Sequence, residues 1–222
     1  MLDKVLGLWA PHYCYGCDLV GFVLCSNCKY NIINEPFAGC VACQKTAVGS
    51  TGVCTECRVP YLKAWVISDR DGVVLKLVDE YKFNYRRSSY EVLAEMLNDT
   101  VASLPEDTLV CTVPTIQKHI RQRGFDHAKL LAKQFASLRR LEFVTPLVRN
   151  KSTVQLGTSR VERIKNARLA FRARGVQRGR NYLLIDDVYT TGSTMRYATQ
   201  TLLNAGAGQV WIAIIARQAL DK

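Results

Sequence analysis

Residues 182–194 read Tyr182-Leu183-Leu184-Ile185-Asp186-Asp187-Val188-Tyr189-Thr190-Thr191-Gly192-Ser193-Thr194. The apolar run 182–185 has the length and composition of a buried parallel strand. Asp186 and Asp187 fall where that strand is expected to end, and 190–194 is a loop made almost wholly of hydroxyls and backbone. Beyond it Met195, Ala198, Thr199 and Leu202 recur at helical spacing as far as Asn204, and Gly206 stands at the C-terminal cap position. A second apolar run, 210–216, completes a strand–loop–helix–strand unit, the building block of a parallel α/β sheet.

The order of residues in this unit carries chemistry. A loop rich in Thr, Ser and Gly at a helix N-terminus offers unpaired N–H groups, hydroxyl donors and the positive end of the helix dipole to one anion, typically a phosphate. Gly192 lets the backbone approach without a Cβ in the way. No lysine stands in the loop, which separates it from the phosphate loop of nucleotide triphosphatases. Two carboxylates can accept hydrogen bonds from a vicinal diol, so a diacid just ahead of a phosphate cradle is expected to read a ribose 5-phosphate. Taken alone, an Asp-Asp pair or a hydroxyl-rich turn is more often a solvated helix cap. Strand, diacid, loop and helix in succession reverse that balance.

A chain of 222 residues holds one medium α/β domain plus a small module, and 48% hydrophobic content fits a globular protein. No apolar stretch approaches the roughly 20 residues of a membrane helix. Residues 1–11 lack the apolar core and cleavage site of an export signal, so a cytoplasmic location and no membrane span are expected. The net charge of +11 is unevenly placed. Residues 1–60 carry four basic and four acidic side chains, whereas 118–180 carries 17 basic and three acidic ones, a local +14. That field favours a polyanion, either a pyrophosphate-bearing substrate or nucleic acid.

Eight of the nine cysteines form four Cys-x-x-Cys pairs: Cys14/Cys17, Cys25/Cys28, Cys40/Cys43 and Cys54/Cys57. Two such pairs complete a tetrahedral tetrathiolate site, so the set accommodates two structural Zn²⁺ ions. A disulfide framework is the competing reading, and the expected reducing compartment disfavours it. Sequential pairing groups Cys14, Cys17, Cys25 and Cys28 in one site and Cys40, Cys43, Cys54 and Cys57 in the other. A cross-braced scheme would instead join the first pair to the third. Cys111, in an apolar run, reads as a buried core thiol. Pro60 marks a boundary between a zinc-ribbon-like module over 1–60 and an α/β domain over 61–222.

Within the larger part, 64–68 and 109–113 read as strands, and 73–81 as a helix interrupted by a cationic loop at 82–87. Ser89 is expected to cap a helix with core positions Val92, Leu93, Met96 and Leu97. Residues 115–127 read as a basic loop ahead of a helix over 128–138, with Lys118, Arg121 and Arg123 as pyrophosphate candidates and Gly124 as a close turn. His127 reads equally well as a helix N-terminal side chain or as a functional one. The polar stretch 149–171 reads as a long basic loop able to fold over a substrate and exclude water.

The stretch Asp186 to Thr194 resembles the phosphoribosyl-pyrophosphate (PRPP) motif of type I phosphoribosyltransferases, with Tyr189 where a small aliphatic residue is more usual. Val113-Pro114 followed by Arg123-Gly124-Phe125, and Gln155 followed by Arg163, Asn166 and Phe171, resemble the ComF family of competence-associated, phosphoribosyltransferase-like proteins. Members of that family also carry a cysteine-rich, double-zinc-ribbon-like amino terminus. Asp126 stands where the family has Asn, and Thr158 where an aliphatic residue is common. The resemblance implies a type I phosphoribosyltransferase-like parallel sheet flanked by helices. It also implies Mg²⁺-assisted transfer of a 5-phosphoribosyl group from PRPP to an acceptor for which no motif stands in the chain. On that reading Asp186 and Asp187 hold the ribose diol, and Thr190, Thr191, Gly192, Ser193 and Thr194 hold the 5-phosphate. Arg123 joins the two acids in catalysis, while Lys118, Arg121, Arg123, Gly124, Gln155, Arg160 and Arg163 attend the pyrophosphate. The rival reading is a non-catalytic single-stranded-DNA-binding competence protein with a regulatory PRPP site, partnered by a competence helicase or other DNA-uptake proteins.

Overall fold

In a computed structural model the chain is described over residues 12–45, 51–83, 89–150 and 170–219. In chain order the elements are α1 (Ser26–Asn34), β1 (Lys63–Asp69), α2 (Gly72–Phe83), α3 (Ser89–Thr100), β2 (Leu109–Thr112), α4 (Gln117–Arg123), α5 (His127–Arg139), β3 (Glu142–Phe143), β4 (Leu147–Arg149), β5 (Phe171–Ala173), β6 (Tyr182–Tyr189), α6 (Ser193–Asn204) and β7 (Val210–Arg217). Five strands form a wholly parallel sheet in the order β1-β7-β6-β2-β3, while β4 and β5 pair antiparallel as a separate ribbon.

The sheet buries both faces, as the near-continuous apolar run of β7 requires. One face packs Leu183 and Ile185 of β6 against Leu77 of α2, Leu93 and Leu97 of α3, and Leu131 and Phe135 of α5. On the other, Leu184 and Ile212 meet Met195, Ala198 and Leu202 of α6, together with Leu147 and Phe171 of the ribbon. Met195, Ala198, Thr199 and Leu202 are the inward stripe read from the sequence, and all four are buried. Leu93, Met96 and Leu97 are likewise buried on α3, with Val92 packed at the margin.

Several boundaries differ from the sequence reading. β6 continues past Ile185 to Tyr189 because β7 runs on beside it, pairing Asp186 with Ile214 and Tyr189 with Arg217, although β2 ends opposite Ile185. Lys82 belongs to the last turn of α2 rather than to a loop, and residues 84–87 lie outside the described residues. Ser89 is the buried first residue of α3. Residues 117–123 are a short helix, α4, closed by Gly124 in the left-handed conformation (φ 74°). Asp126 caps α5 by accepting from the Lys129 N–H at 3.2 Å, a task its carboxylate performs as well as the expected Asn.

The cysteine-rich segment straddles the edge of the sheet. Cys14, Val23, Leu24 and Cys25 join the core beneath α2 and α3, and Lys29 on α1 reaches Glu95 on α3 at 3.0 Å. Val41 and Tyr61 join the core on the opposite face, beside Tyr189 and Met195. Between them, backbone covers the outer edge of β1. The Phe37 N–H donates to Ile67 O at 3.3 Å, and the Ala64 N–H to Thr51 O at 2.8 Å. A Cβ on Gly52 would lie 2.1 Å from the Ala64 carbonyl oxygen, so only glycine fits this seam. The arrangement protects an edge that would otherwise offer a row of unpaired amides.

Candidate functional site

The turn from β6 into α6 opens at the carboxyl edge of the sheet, where parallel α/β folds receive ligands. Gly192 is the N-cap of α6 with φ 75°, and no side chain caps the helix. The Ser193 N–H makes a long contact to Thr191 Oγ1 at 3.5 Å, and the turn otherwise presents its amides to a ligand. Thr190, Thr191, Ser193 and Thr194 are exposed around the buried glycine. Thr191 Oγ1 donates to Ser193 Oγ at 3.2 Å, which holds two of these hydroxyls together. Tyr189 supports the turn from below: a Cβ on Gly192 would lie 2.0 Å from its hydroxyl oxygen and 2.3 Å from its Cζ. The Tyr189 hydroxyl is itself 2.8 Å from that of Tyr61 in a buried pair. The bulky residue at 189 is thus the floor on which the loop rests.

The two acids diverge. Because β6 extends through them, the pleat sends Asp186 to the face of Tyr182 and Leu184, which α6 covers, and Asp187 to the face of α2 and α5. Asp187 is 4% exposed, with Oδ1 2.8 Å from Lys82 Nζ and Oδ2 2.8 Å from His127 Nε2. The histidine contact lies at ion-pair distance but outside hydrogen-bond geometry, so Oδ2 remains a buried acceptor with capacity to spare. Burial opposes ionisation of Asp187, yet Lys82 and His127 overrule it and hold the carboxyl well below the usual range. Asp186 is the reverse case. Burial, and then the charge on Asp187, push its carboxyl up to about 7. Adjacent acids with carboxyls displaced in opposite directions mark a functional site more often than a scaffold.

Cations surround this pair. Arg123, at the end of α4, donates from Nη1 to His127 Nδ1 at 2.9 Å. The Tyr81 hydroxyl donates to His127 O at 2.6 Å and fixes the start of α5. Arg149, at the end of β4, donates from Nε to Pro114 O at 3.1 Å and stacks over Phe171 with its centre 4.9 Å from the ring centroid. Burial lowers its basicity, and the neighbouring charge of Asp186 partly restores it. Lys118 and Arg121 are exposed on α4.

The cysteines assemble as two groups of four, Cys14/Cys17/Cys25/Cys28 and Cys40/Cys43/Cys54/Cys57, with the sulfurs of each group within 4.8 Å of one another. This is the sequential grouping. Each group has one sulfur already accepting an amide: Cys14 Sγ from the Cys25 N–H and Cys40 Sγ from the Cys54 N–H, both at 3.3 Å. Burial resists ionisation of these two thiols, but such amides bring Cys14 down to about 6 and Cys40 down to about 7. Burial and the neighbouring sulfurs push Cys28 up to about 12. Four sulfurs that cannot all ionise unaided are what a dication relieves, and the residues fit zinc. Gly16 belongs to the fit, since a Cβ there would come within 2.6 Å of Cys28 Sγ. Cys111, fully buried in β2, belongs to neither group.

Residues 93–221 match the phosphoribosyl transferase domain family. The chain belongs to that family. It is also 24% identical over 218 residues to the DNA utilization protein YhgH of Escherichia coli O157:H7, covering 85% of this chain and 95% of that one. With the competence protein ComFC of Streptococcus pneumoniae it shares 25% identity over 192 residues, 84% of each chain. Among solved structures, the glutamine phosphoribosylpyrophosphate amidotransferase of B. subtilis aligns at a TM-score of 0.45 with 21% identity, over 62% of this chain and 30% of that one. The likeness to ComF proteins read from the sequence stands.

In this phosphoribosyl transferase domain the structure places Asp186 on the α6 side of β6, ahead of the loop 190–194, and Asp187 on the other side, where His127 stands between it and Arg123. Lys118, Arg121 and Gly124 lie on or just after α4, while Gln155, Arg160 and Arg163 fall outside the described residues. Lys82 and Arg149 were read from the sequence only as members of basic loops, and Arg217 was not singled out. Lys82 and Arg149 sit at ends of elements beside polar stretches, where a cation ordinarily reads as solvated. The helical spacing of α2, continued one turn further, would have carried Lys82 toward the sheet. Among the described residues, no helix is long and apolar enough to cross a membrane.

Proposed function

We propose that this chain binds PRPP and transfers its 5-phosphoribosyl group to an acceptor with release of pyrophosphate. The observation that carries the reading is the uncapped first turn of α6 at Gly192, ringed by exposed hydroxyls and preceded by two acids displaced in opposite directions. The loop 190–194 takes the 5-phosphate. Asp186 and Asp187 take the ribose hydroxyls, Asp187 through the spare capacity of Oδ2. As Asp187 turns to the sugar, its ion pair with Lys82 gives way, and the ammonium becomes available to the pyrophosphate alongside Arg123, Lys118 and Arg121. Gln155, Arg160 and Arg163, which lie outside the described residues, complete the pyrophosphate contacts on this reading. Mg²⁺ bound with PRPP would supply charge neutralisation on the departing pyrophosphate. Rate enhancement on this account is positional and electrostatic. Each cysteine cluster takes one zinc ion, the two modules divide near Pro60, and the protein works in the cytoplasm.

The relatives' names, DNA utilization and competence protein, favour a setting in DNA uptake, with competence helicases or other uptake proteins as partners. A second reading, single-stranded DNA binding with a regulatory PRPP site, draws support from the groove lined by Lys129, Lys133, Arg174 and Phe143. Three cations beside an aromatic ring suit a phosphate backbone and one stacked base. Release of labelled pyrophosphate from PRPP, screened against bases, amines and oligonucleotides, tests the enzymatic reading. Acceptor-dependent release that D186N abolishes supports it. PRPP binding without release under every acceptor, together with salt-dependent oligonucleotide binding, favours the second reading.

A further inference from the structure

Arg217 closes β7 and is fully buried. No carboxylate among the described residues reaches ion-pair distance of it, and Nη2 has no hydrogen-bond partner. Nε donates to the Val41 carbonyl at 2.6 Å, while Nη1 donates to Tyr189 O at 3.1 Å, to Thr190 O at 2.8 Å and to Gln218 O. The guanidinium lies 4.9 Å from the Tyr189 ring centroid. One buried cation therefore joins the floor of the phosphate loop to the turn that follows Cys40. Gln44, in the same cysteine turn, donates to Gln218 O at 2.9 Å and adds a second tie.

A buried guanidinium without a counter-charge is costly to keep. Four thiolates around one zinc ion form a dianion, and Cys40, the residue before Val41, belongs to such a set. Burial opposes the charged form of Arg217; Tyr189, Tyr61 and Asp69 favour it, and Cys40 adds a smaller contribution in the same sense. Among the described residues the first cluster has no comparable line to the loop: Cys14 and Cys25 pack into the core on the other face of the sheet.

We propose that Arg217 is a positioning residue that couples metal occupancy of the second cysteine cluster to the geometry of the phosphate loop. Metal in Cys40/Cys43/Cys54/Cys57 fixes the turn whose Val41 carbonyl accepts from Arg217, and Arg217 in turn holds the carbonyls of Tyr189 and Thr190 so that the 190–194 amides face one point. Loss of that metal slackens the loop; loss of metal from Cys14/Cys17/Cys25/Cys28 does not. The inference rests on the reading of the clusters as zinc sites and of the loop as the PRPP phosphate site.

The test is hydrogen–deuterium exchange of peptides spanning 187–195 in the full-length protein, with zinc content measured on the same samples. C40S/C43S is expected to carry one zinc ion and to exchange there roughly tenfold faster than wild type, as for the loss of a charge-assisted hydrogen bond. C14S/C17S is expected to carry one zinc ion with exchange at 187–195 unaltered. R217M should retain two zinc ions, exchange as fast as C40S/C43S, and show no further change when C40S/C43S is added. R217K should recover part of the protection. Where C40S/C43S fails to fold, R217M alone decides, and wild-type exchange in R217M overturns the proposal. Equal effects of the two cysteine double variants overturn it as well. PRPP affinity measured in parallel separates the two readings: a wild-type chain that binds no PRPP refutes the proposed function, while the exchange contrast still judges the coupling.

Discussion

Lys82 Nζ lies 2.8 Å from Asp187 Oδ1, a buried ion pair between the last turn of α2 and the tip of the central strand β6. It divides two chemically identical neighbours into different roles. Replacing Asp187 with Asn strands the Lys82 ammonium in a site where its side chain is 15% exposed. The expected cost is about 3 kcal/mol. Urea denaturation should show that loss for D187N and a partial recovery in K82M/D187N, whose apolar side chain needs no counter-charge.

Asp186 should behave in the opposite sense. Its carboxyl is raised to about 7, so the folded chain keeps the proton across a range where the unfolded chain has lost it. The associated stability is complete below about pH 4 and is lost as pH climbs through 7. Asp187, held low, contributes stability that is fully present above about pH 4 and is lost progressively as pH falls into the strongly acid range. At pH 8, D186N is therefore expected to be more stable than wild type by on the order of 1 kcal/mol, with the gap closing toward pH 4. Equal stability at both pH values would contradict the assignment.

The same ionisation should govern ligand binding. Ribose hydroxyls donate to a carboxylate, so affinity for PRPP with Mg²⁺ should rise from pH 6 to pH 8, by no more than about tenfold per pH unit for one proton. Wild-type affinity that stays flat from pH 6 to pH 8, once the titration of the ligand itself is subtracted, would contradict the assignment.

Gly192→Ala places a methyl group 2.0 Å from the Tyr189 hydroxyl on a backbone with φ 75°. Both the clash and the left-handed strain oppose it, and a loss of at least about 1 kcal/mol is expected. Adding Tyr189→Val should recover the part due to the clash while leaving the strain. Thermal denaturation of the single and double variants separates the two contributions.

Metal analysis should return two zinc ions per chain. C111S should keep both, because Cys111 lies buried in β2, outside the two groups of four. Chelation should unfold the cysteine-rich segment first, since its short stretches owe their folding energy to the metal, and exchange at the β1 edge should rise with it. Two zinc ions lost on C111S would overturn this grouping.

Much of the site was legible in the chain, for identifiable reasons. The apolar run ending in Asp186-Asp187 and the hydroxyl loop before Met195 is a dense local pattern, and local patterns survive folding. The four Cys-x-x-Cys pairs are similarly local. What the sequence did not carry is set by distant partners. β6 outruns Ile185 only because β7 lies alongside, and that extension turns the two acids to opposite faces. α4 has no buried residue and no apolar period, so Gln117 to Arg123 read as loop. Lys82 and Arg217 look like ordinary surface cations until Asp187 and the Val41 and Thr190 carbonyls stand opposite them. Tyr189 read as a departure from the pattern, and the structure makes it the support of Gly192.

The most direct test of the central claim is calorimetric titration of the wild-type chain with PRPP in the presence of Mg²⁺, beside D186N and a Thr191→Ala/Ser193→Ala variant. The account predicts one site per chain in the wild type, no measurable heat of binding in D186N, and an affinity lower by roughly tenfold or more in the loop variant. Unchanged binding in D186N, or no binding by a folded, zinc-loaded wild-type chain, would contradict it.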